Sequence, residues 1–324
     1  MDRRHFISTL AATAAATAST ASRAQAPTRT TRIIVPFAAG GAIDVTVRVI
    51  AEAARGVLGN IVIENKPGGG GGIGVDMVAK APPDGHMVTI GLSTSLLINQ
   101  FLFKKLPYNA QRDLVLVSQI AVAPIVLVVH PSVPATNAAE LLKYIGANKG
   151  KLSYGSWGIG SAAHLSGSEL SQMQSGDMSH VPYKGEAPML QDLLGGQIQL
   201  TFASALGAKP FIEAGKLKVI GVTGEKRMAT LPKVPTLLEQ GLTDDVFRVV
   251  GWIAMAAPAA TPKPVVQRLA DEVKAAVAIP EVRERIVAMG FDPVARGPEE
   301  FAAIYKKDLP IWERLVKQSG ATLD

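Results

Sequence analysis

The sequence predicts an α/β fold of two lobes, and three observations predict it. Short β-branched runs alternate with helical patterns along the chain, as in mainly parallel sheets covered by helices. The length of 324 residues suits about two domains of 100–200 residues each. Two similar glycine-rich strand-to-helix turns recur about 120 residues apart, one for each domain.

The first strand is Arg32–Val35, and Val45, Val47, Val49, Ile50, Ala53 and Ala54 continue it as a helix to about Leu58. Asn60–Glu64 is the second strand, Met87–Leu92 the third and Val115–Ile120 the fourth. The run Gly68–Gly72 is too short for a domain linker and reads as a flexible turn. Ile125–Val129 is the next strand, followed by a helix opened by the Ser/Thr/Asn group near Thr136. Lys151–Tyr154 is a strand and Gly160–Met173 a helix; Ile198–Phe202, Leu217–Val222 and Arg248–Ala254 are further strands. Beyond Thr261 the chain is mostly helical, with Thr261 expected as an N-cap and Pro262 at the first helical position. Pro280 and Pro298 open two more helices.

The first 26 residues differ from the rest. Arg3 and Arg4 precede an uncharged Ala/Thr/Ser-rich run, Phe6–Thr20, and Ala24-Gln25-Ala26 is a small-x-small cleavage site. This is the plan of a secretory signal, here of the twin-arginine type. Cleavage after Ala26 is expected, with residues 27–324 working in the periplasm. Removing Arg3, Arg4, Arg23 and Asp2 with the signal leaves 30 basic side chains against 26 acidic ones. That mild excess is scattered, with no basic block interleaved with aromatics, so nucleic acid is not an expected partner. There is no cysteine, so the exported chain depends on its core and not on disulfides. After residue 26 no run approaches the ~20 apolar residues of a membrane span.

The first turn reads Val35-Pro36-Phe37-Ala38-Ala39-Gly40-Gly41-Ala42-Ile43-Asp44, the second Tyr154-Gly155-Ser156-Trp157-Gly158-Ile159-Gly160-Ser161-Ala162-Ala163-His164. A helix N-terminus leaves backbone N–H groups unpaired and carries partial positive charge. Glycine lets a ligand approach that backbone closely. Each turn is therefore a candidate cradle for a carboxylate, or simply a tight turn in a parallel sheet. Together they suggest a ligand held between two lobes.

The segment Pro36-Phe37-x-x-Gly40-Gly41-x-x-Asp44-x-x-x-Arg48 resembles the first-lobe loop of the Bug-type receptors of tripartite tricarboxylate transporters. Glu64-Asn65-Lys66-Pro67-Gly68, Gly72-Ile73-Gly74, Pro83-Asp84-Gly85, Gly158-x-Gly160-Ser161-x-x-His164-Leu165, Val181-Pro182-Tyr183-Lys184-Gly185, Gly195-Gly196 and Pro232-x-Val234-Pro235-Thr236 are similar to that family in the expected order. The resemblance implies a periplasmic-binding-protein (Venus-flytrap) architecture joined by crossover strands. Residues 27–122 and 254–324 would form one lobe and residues 123–253 the other. It also implies a small carboxylate met mostly by backbone N–H groups, and transporter membrane subunits as partners. Gly40, Gly41 and nearby amides, including Phe37, Ala38 and Ala39, would hold the ligand from the first lobe; Gly158, Gly160 and Ser161 would hold it from the second. Members of the family often carry an acid after the strand that here ends at Phe202, where this chain has Ala203-Ser204.

Other residues carry two readings. Asp44 fixes the first loop or meets a ligand hydroxyl or ammonium. Trp157 stacks on a planar acid or packs in the core. Ser93 and Thr94 follow a strand at the end where ligands gather in open α/β sheets, or form a plain turn. Ser161 and His164 suggest a hydrolase pair, yet no Gly-x-Ser-x-Gly elbow and no acidic partner accompany them, so Ser161 is expected on the ligand and His164 behind the loop. His86, His130, His164 and His180 have no metal-ligand spacing. The expectation is a monomeric binding protein, not an enzyme, without metal or cofactor. The rival is an exported NAD(P)-dependent oxidoreductase, because Gly158-x-Gly160-x-x-Ala163 fits a dinucleotide turn, with Asp177 near the place of a ribose-binding acid; Gly69-x-Gly71-x-x-Gly74 fits as well. A third reading is a carboxylate-sensing module docked on a sensor protein.

Overall fold

The computed structural model describes residues 30–323 apart from Gly59. The expected export signal and its cleavage site after Ala26 lie outside the described residues. Strands β1 (Thr31–Val35), β2 (Ile61–Asn65), β3 (Met87–Leu92) and β4 (Leu114–Ala123) come first. β5 (Val126–Val129), β6 (Ser153–Ser156), β7 (Ser179–Pro182), β8 (Leu200–Ala203) and β9 (Lys218–Val222) form a second sheet in the order β7-β6-β8-β5-β9. β10 (Gly251–Pro258) and β11 (Asp292–Arg296) return to the first sheet, whose order is β11-β4-β10-β3-β1-β2.

The result is a two-lobed α/β fold. β1, β2 and β3 pair in parallel, and β4 points the same way because antiparallel β10 separates it from β3. In the second sheet β6, β7 and β8 are parallel and β5 opposes them. Each sheet therefore sends most of its strand carboxyl ends to one edge. The chain crosses between sheets twice, at Pro124-Ile125 and through residues 223–250. The two crossings are tied together: Ile125 N–H donates to Thr223 Oγ1, and Thr223 N–H donates to the Ile125 carbonyl, both at 2.9 Å.

Helix α1 (Ala42–Leu58) buries Ile43, Val47, Ile50, Ala51 and Ala54 on one stripe, a spacing of three and four that fits a helix lying on a sheet. α2 (Gly72–Ala79) follows β2. A wide helical turn, Thr94–Ile98, follows β3 and runs into Asn99–Leu102. α3 (Ala138–Ala147), α4 (Ala162–Met173), α5 (Glu186–Leu194) and α6 (Ala205–Glu213) cover the second sheet. α7 (Lys263–Ala278), α8 (Pro280–Ala288) and α9 (Pro298–Ser319) close the first. β5 shows why its sequence is an unbroken apolar run: Val126 and Val128 enter one core, Leu127 and Val129 the other. The largest apolar cluster belongs to both sheets, joining Ile34, Leu96 and Trp252 to Leu127, Phe202 and Phe247, with Phe301 and Trp312 of α9.

Several elements differ from the sequence reading. α7 is capped by Pro262 and not by Thr261, whose N–H turns back to the Pro258 carbonyl and whose hydroxyl is buried without a partner. The strand expected at Lys151–Tyr154 sits two residues later, because Lys151 N–H closes a turn on Asn148. α2, α5, α6, β7 and β11 had no clear signal: α2 contains two glycines, α5 and α6 contain Pro188 and Pro210, and β7 and β11 are polar edge strands.

Candidate functional site

Residues 38–41 lie open to solvent between β1 and α1. Asp44, buried in the first turn of α1, is the pin of this loop. Its carboxylate accepts from Gly40 N–H at 2.9 Å, from Arg48 Nε at 3.0 Å and from Asn65 Nδ2 at 3.0 Å. Asn65 Nδ2 also donates to the Phe37 carbonyl at 3.0 Å. Burial alone would raise the Asp44 pKa, but the hydrogen bonds from Arg48, Gly40 and Asn65, with the Arg48 charge, outweigh it and hold the carboxyl below its ordinary value. Gly40 has φ +82°, a conformation that favours glycine. Its amide is committed to Asp44, while none of the bonds in this network uses the amides of Ala38, Ala39 and Gly41. Behind the loop, Gly71 and Gly74 pack closely: a Cβ on them would fall 2.8 Å from Ser95 Cβ and 2.9 Å from Pro36 Cβ. Protein atoms thus fill the space at the second and third glycines of the Gly69-x-Gly71-x-x-Gly74 pattern.

The second turn joins β6 to α4. Ser161 is the N-cap, its hydroxyl oxygen accepting from His164 N–H at 3.3 Å. Gly160 N–H donates to His164 Nδ1 at 3.0 Å, which makes this ring neutral and protonated on Nε2. Ser161 N–H donates to the Gly158 carbonyl, and Gly158 N–H to Ser156 Oγ. The amides of Gly158, Gly160 and Ser161 therefore shape the loop; Ile159 and Ala162 carry the amides outside this network. The His164 ring is not bonded to the Ser161 hydroxyl, so the two do not form a nucleophile–base pair. Burial pushes the His164 imidazole down to about 4, and burial with the neighbouring His164 does the same to His180. His180, unmarked by any local pattern, bonds Ser156 Oγ at 2.7 Å and so backs the same loop.

Two contacts bring the sheets together on this face. A Cβ on Gly160 would lie 2.2 Å from Leu102 Cδ1, in the segment after β3. A Cβ on Gly290 would lie 2.8 Å from Ala205 Cβ, at the start of α6 after β8. The residue before it, Met289, accepts a contact from Thr46 Oγ1 in α1 at 3.5 Å. Both turns thus belong to the two facing edges. Ser93 is buried at the end of β3, where a Cβ on Gly251 would meet its hydroxyl at 3.2 Å; Thr94 is half-buried beside it. Trp157 is half-buried against the cores on both faces of the second sheet. Asp177 precedes β7, at the end of the β6–β7 pair opposite to the Gly158 turn, which removes its match to a ribose-binding acid. Glu186 reaches the strand end where the sequence has Ala203-Ser204, accepting from Ser204 N–H and, at 2.8 Å, from Ser204 Oγ. Among the described residues no three His, Cys, Asp or Glu side chains are grouped to hold a metal ion.

Residues 46–321 match the family described as "Tripartite tricarboxylate transporter family receptor". A UPF0065 protein from the tcbD-tcbE intergenic region of Pseudomonas sp. (strain P51) is 37% identical over 292 residues, 90% of this chain and 86% of that protein. The solved periplasmic binding protein BugD is 35% identical, with a TM-score of 0.78 over 91% of this chain and 99% of that one. The R. palustris protein Rpa4515, solved with adipate, is 32% identical, with a TM-score of 0.81 over 92% of this chain and 99% of that one.

Proposed function

Because this chain belongs to the tripartite tricarboxylate transporter receptor family, we propose that it is a periplasmic receptor that closes two lobes over a small carboxylate and hands it to the membrane subunits of such a transporter. Because β4 and β10 both belong to the first sheet, residues 30–123 and 251–323 form one lobe and residues 124–250 the other, which moves Ala123 and the start of β10 out of the second lobe where the sequence put them. The lobes pivot about the paired crossings at Ile125 and Thr223. The observation that carries this reading is the presence of two glycine turns on facing edges, each at a helix N-terminus and neither containing Lys or Arg. Amides of the first turn, those of Phe37, Ala38, Ala39 and Gly41, take the carboxylate from one side, while that of Gly40 stays on Asp44. The second turn, Gly158 to Ser161, takes it from the other, chiefly through Ile159 and Ala162. Asp44 and His164 hold the two loops in shape. Ser93, Thr94 and Trp157 wall the space between them. The protein works as a monomer, needs no cofactor and performs no chemistry on its ligand.

The experiment is a thermal-shift screen of residues 27–324 against aliphatic and aromatic carboxylates, NAD and NADP. A ligand that binds only the folded state adds about 2.7 kcal/mol at a hundredfold excess over its Kd. Stabilisation by carboxylates and not by nucleotides is the expected result. Stabilisation by NAD or NADP alone would overturn the reading.

A further inference from the structure

This inference rests on the receptor reading and narrows its ligand. α6 starts at the carboxyl end of β8, on the same edge as the Gly158 turn, and its first residue, Ala205, meets Gly290 of the other lobe. The N-terminus of α6 is not open to an anion, because the Glu186 carboxylate already sits there on the N–H and hydroxyl of Ser204. Gly207 leaves room for it: a Cβ there would fall 2.9 Å from Glu186 Oε2. No Lys or Arg pairs with Glu186 among the described residues, so at this edge its negative charge is answered only by the α6 N-terminus.

The same edges expose apolar side chains. Val45 in the first turn of α1 is 41% exposed, Ile73 in the first turn of α2 56%, Ile159 in the second glycine turn 37%, and Leu206 in the first turn of α6 48%. Only Val62 and Ile279 among the described large hydrophobics are comparably exposed elsewhere. Exposed apolar residues scattered singly need no explanation; here they gather where strand ends of both sheets face each other.

We infer that the ligand is a monocarboxylate with an apolar body, and that Glu186 is the residue that rejects dicarboxylates. The single carboxylate sits on the free amides of the glycine turns. The apolar body lies against Ile159 and Leu206. A second carboxylate would enter the space between the lobes beside the Glu186 charge, and the repulsion of like charges would count against it.

Titration calorimetry of residues 27–324 at pH 7.5 with hexanoate and adipate tests this, since the two differ only by the second carboxylate. Hexanoate is expected to bind at least about tenfold more tightly than adipate, a gap of one decade in Kd. In Glu186→Gln the ratio of adipate to hexanoate affinity should rise at least about tenfold. Glu186→Ala, which removes the carboxylate altogether, should raise the same ratio. Adipate bound as tightly as hexanoate by the parent, or a ratio unmoved in both variants, overturns the inference while leaving a carboxylate receptor. Binding of neither acid, nor of any other carboxylate, overturns the receptor reading itself.

Discussion

The imidazoles of His164 and His180 stack 3.8 Å apart, 16° from parallel, and Tyr154 continues the stack 5.0 Å beyond His180. Both rings are held neutral in the folded protein, each with a pKa near 4 against an ordinary 6.5. As pH falls below 6.5 the unfolded chain takes up protons that the folded one refuses, so stability drops from there down to about pH 4. For buried His164 alone this amounts to about 3 kcal/mol. Protonation at Nδ1 would also break the Gly160 bond that shapes the second turn. Urea denaturation at pH 7.5, 5 and 4 should show His180→Phe losing clearly less stability than the parent; an equal loss would mean that the stack does not titrate.

Gly160→Ala should destabilise the protein by about 2–3 kcal/mol, through φ +74° and overlap with Leu102. Adding Leu102→Ala should recover part of the loss beyond the sum of the single changes. A double-mutant cycle in denaturant measures it, and strict additivity would place the strain elsewhere.

Removing the carboxylate in Asp44→Ala frees the Gly40 amide and the Asn65 side chain while leaving Arg48 in solvent. The expected cost is about 2 kcal/mol of stability and a larger proportional loss in carboxylate affinity. Denaturation and calorimetry on the same sample check both. Affinity that survives the change would make the ligand independent of this loop.

Trp157→Ala should cost about 2–3 kcal/mol, because the half-buried ring fills space against two cores. If the ring also stacks on the ligand, benzoate affinity should fall further than hexanoate affinity. Equal falls would assign Trp157 to packing alone.

Asp308 has the opposite pH signature to the histidines. Burial, partly offset by the Lys307 charge, pushes its carboxyl up to about 6. The folded protein therefore gains stability as pH falls through 6 towards the unfolded value of 3.8. Asp308→Asn should be more stable than the parent by about 1–3 kcal/mol at pH 7.5 and equal to it near pH 4. Comparing the two proteins at each pH isolates this from the histidine effect.

Local pattern made much of this legible. The β-branched runs marked β1, β3 and β5, and the glycine turns marked the starts of α1 and α4. Asp44 was readable as a loop pin because it stands one turn into its own helix. What escaped depends on residues distant in sequence. Glu186 meets Ser204 across two helices, and His180 meets Ser156 across a strand pair. Asn65 reaches Phe37 only because β2 lies beside β1. The amides of Gly40, Gly160 and Ser161 could not be known to be occupied until their acceptors were placed.

The position of β10 has a consequence for synthesis. It lies between β3 and β4, although more than a hundred residues separate it from β4 in the chain. When β4 has left the ribosome, β3 has no neighbour on that side and Ile34, Leu96 and Leu102 still lack the cover that Trp252 and α9 supply. The middle of the first sheet waits open while the whole second sheet is made, exposing strand edges that invite misassembly. The chain thus finishes its first lobe last. A nascent chain stalled before residue 251 would carry a closed second sheet and an unfinished first one, and would be a natural client for chaperones.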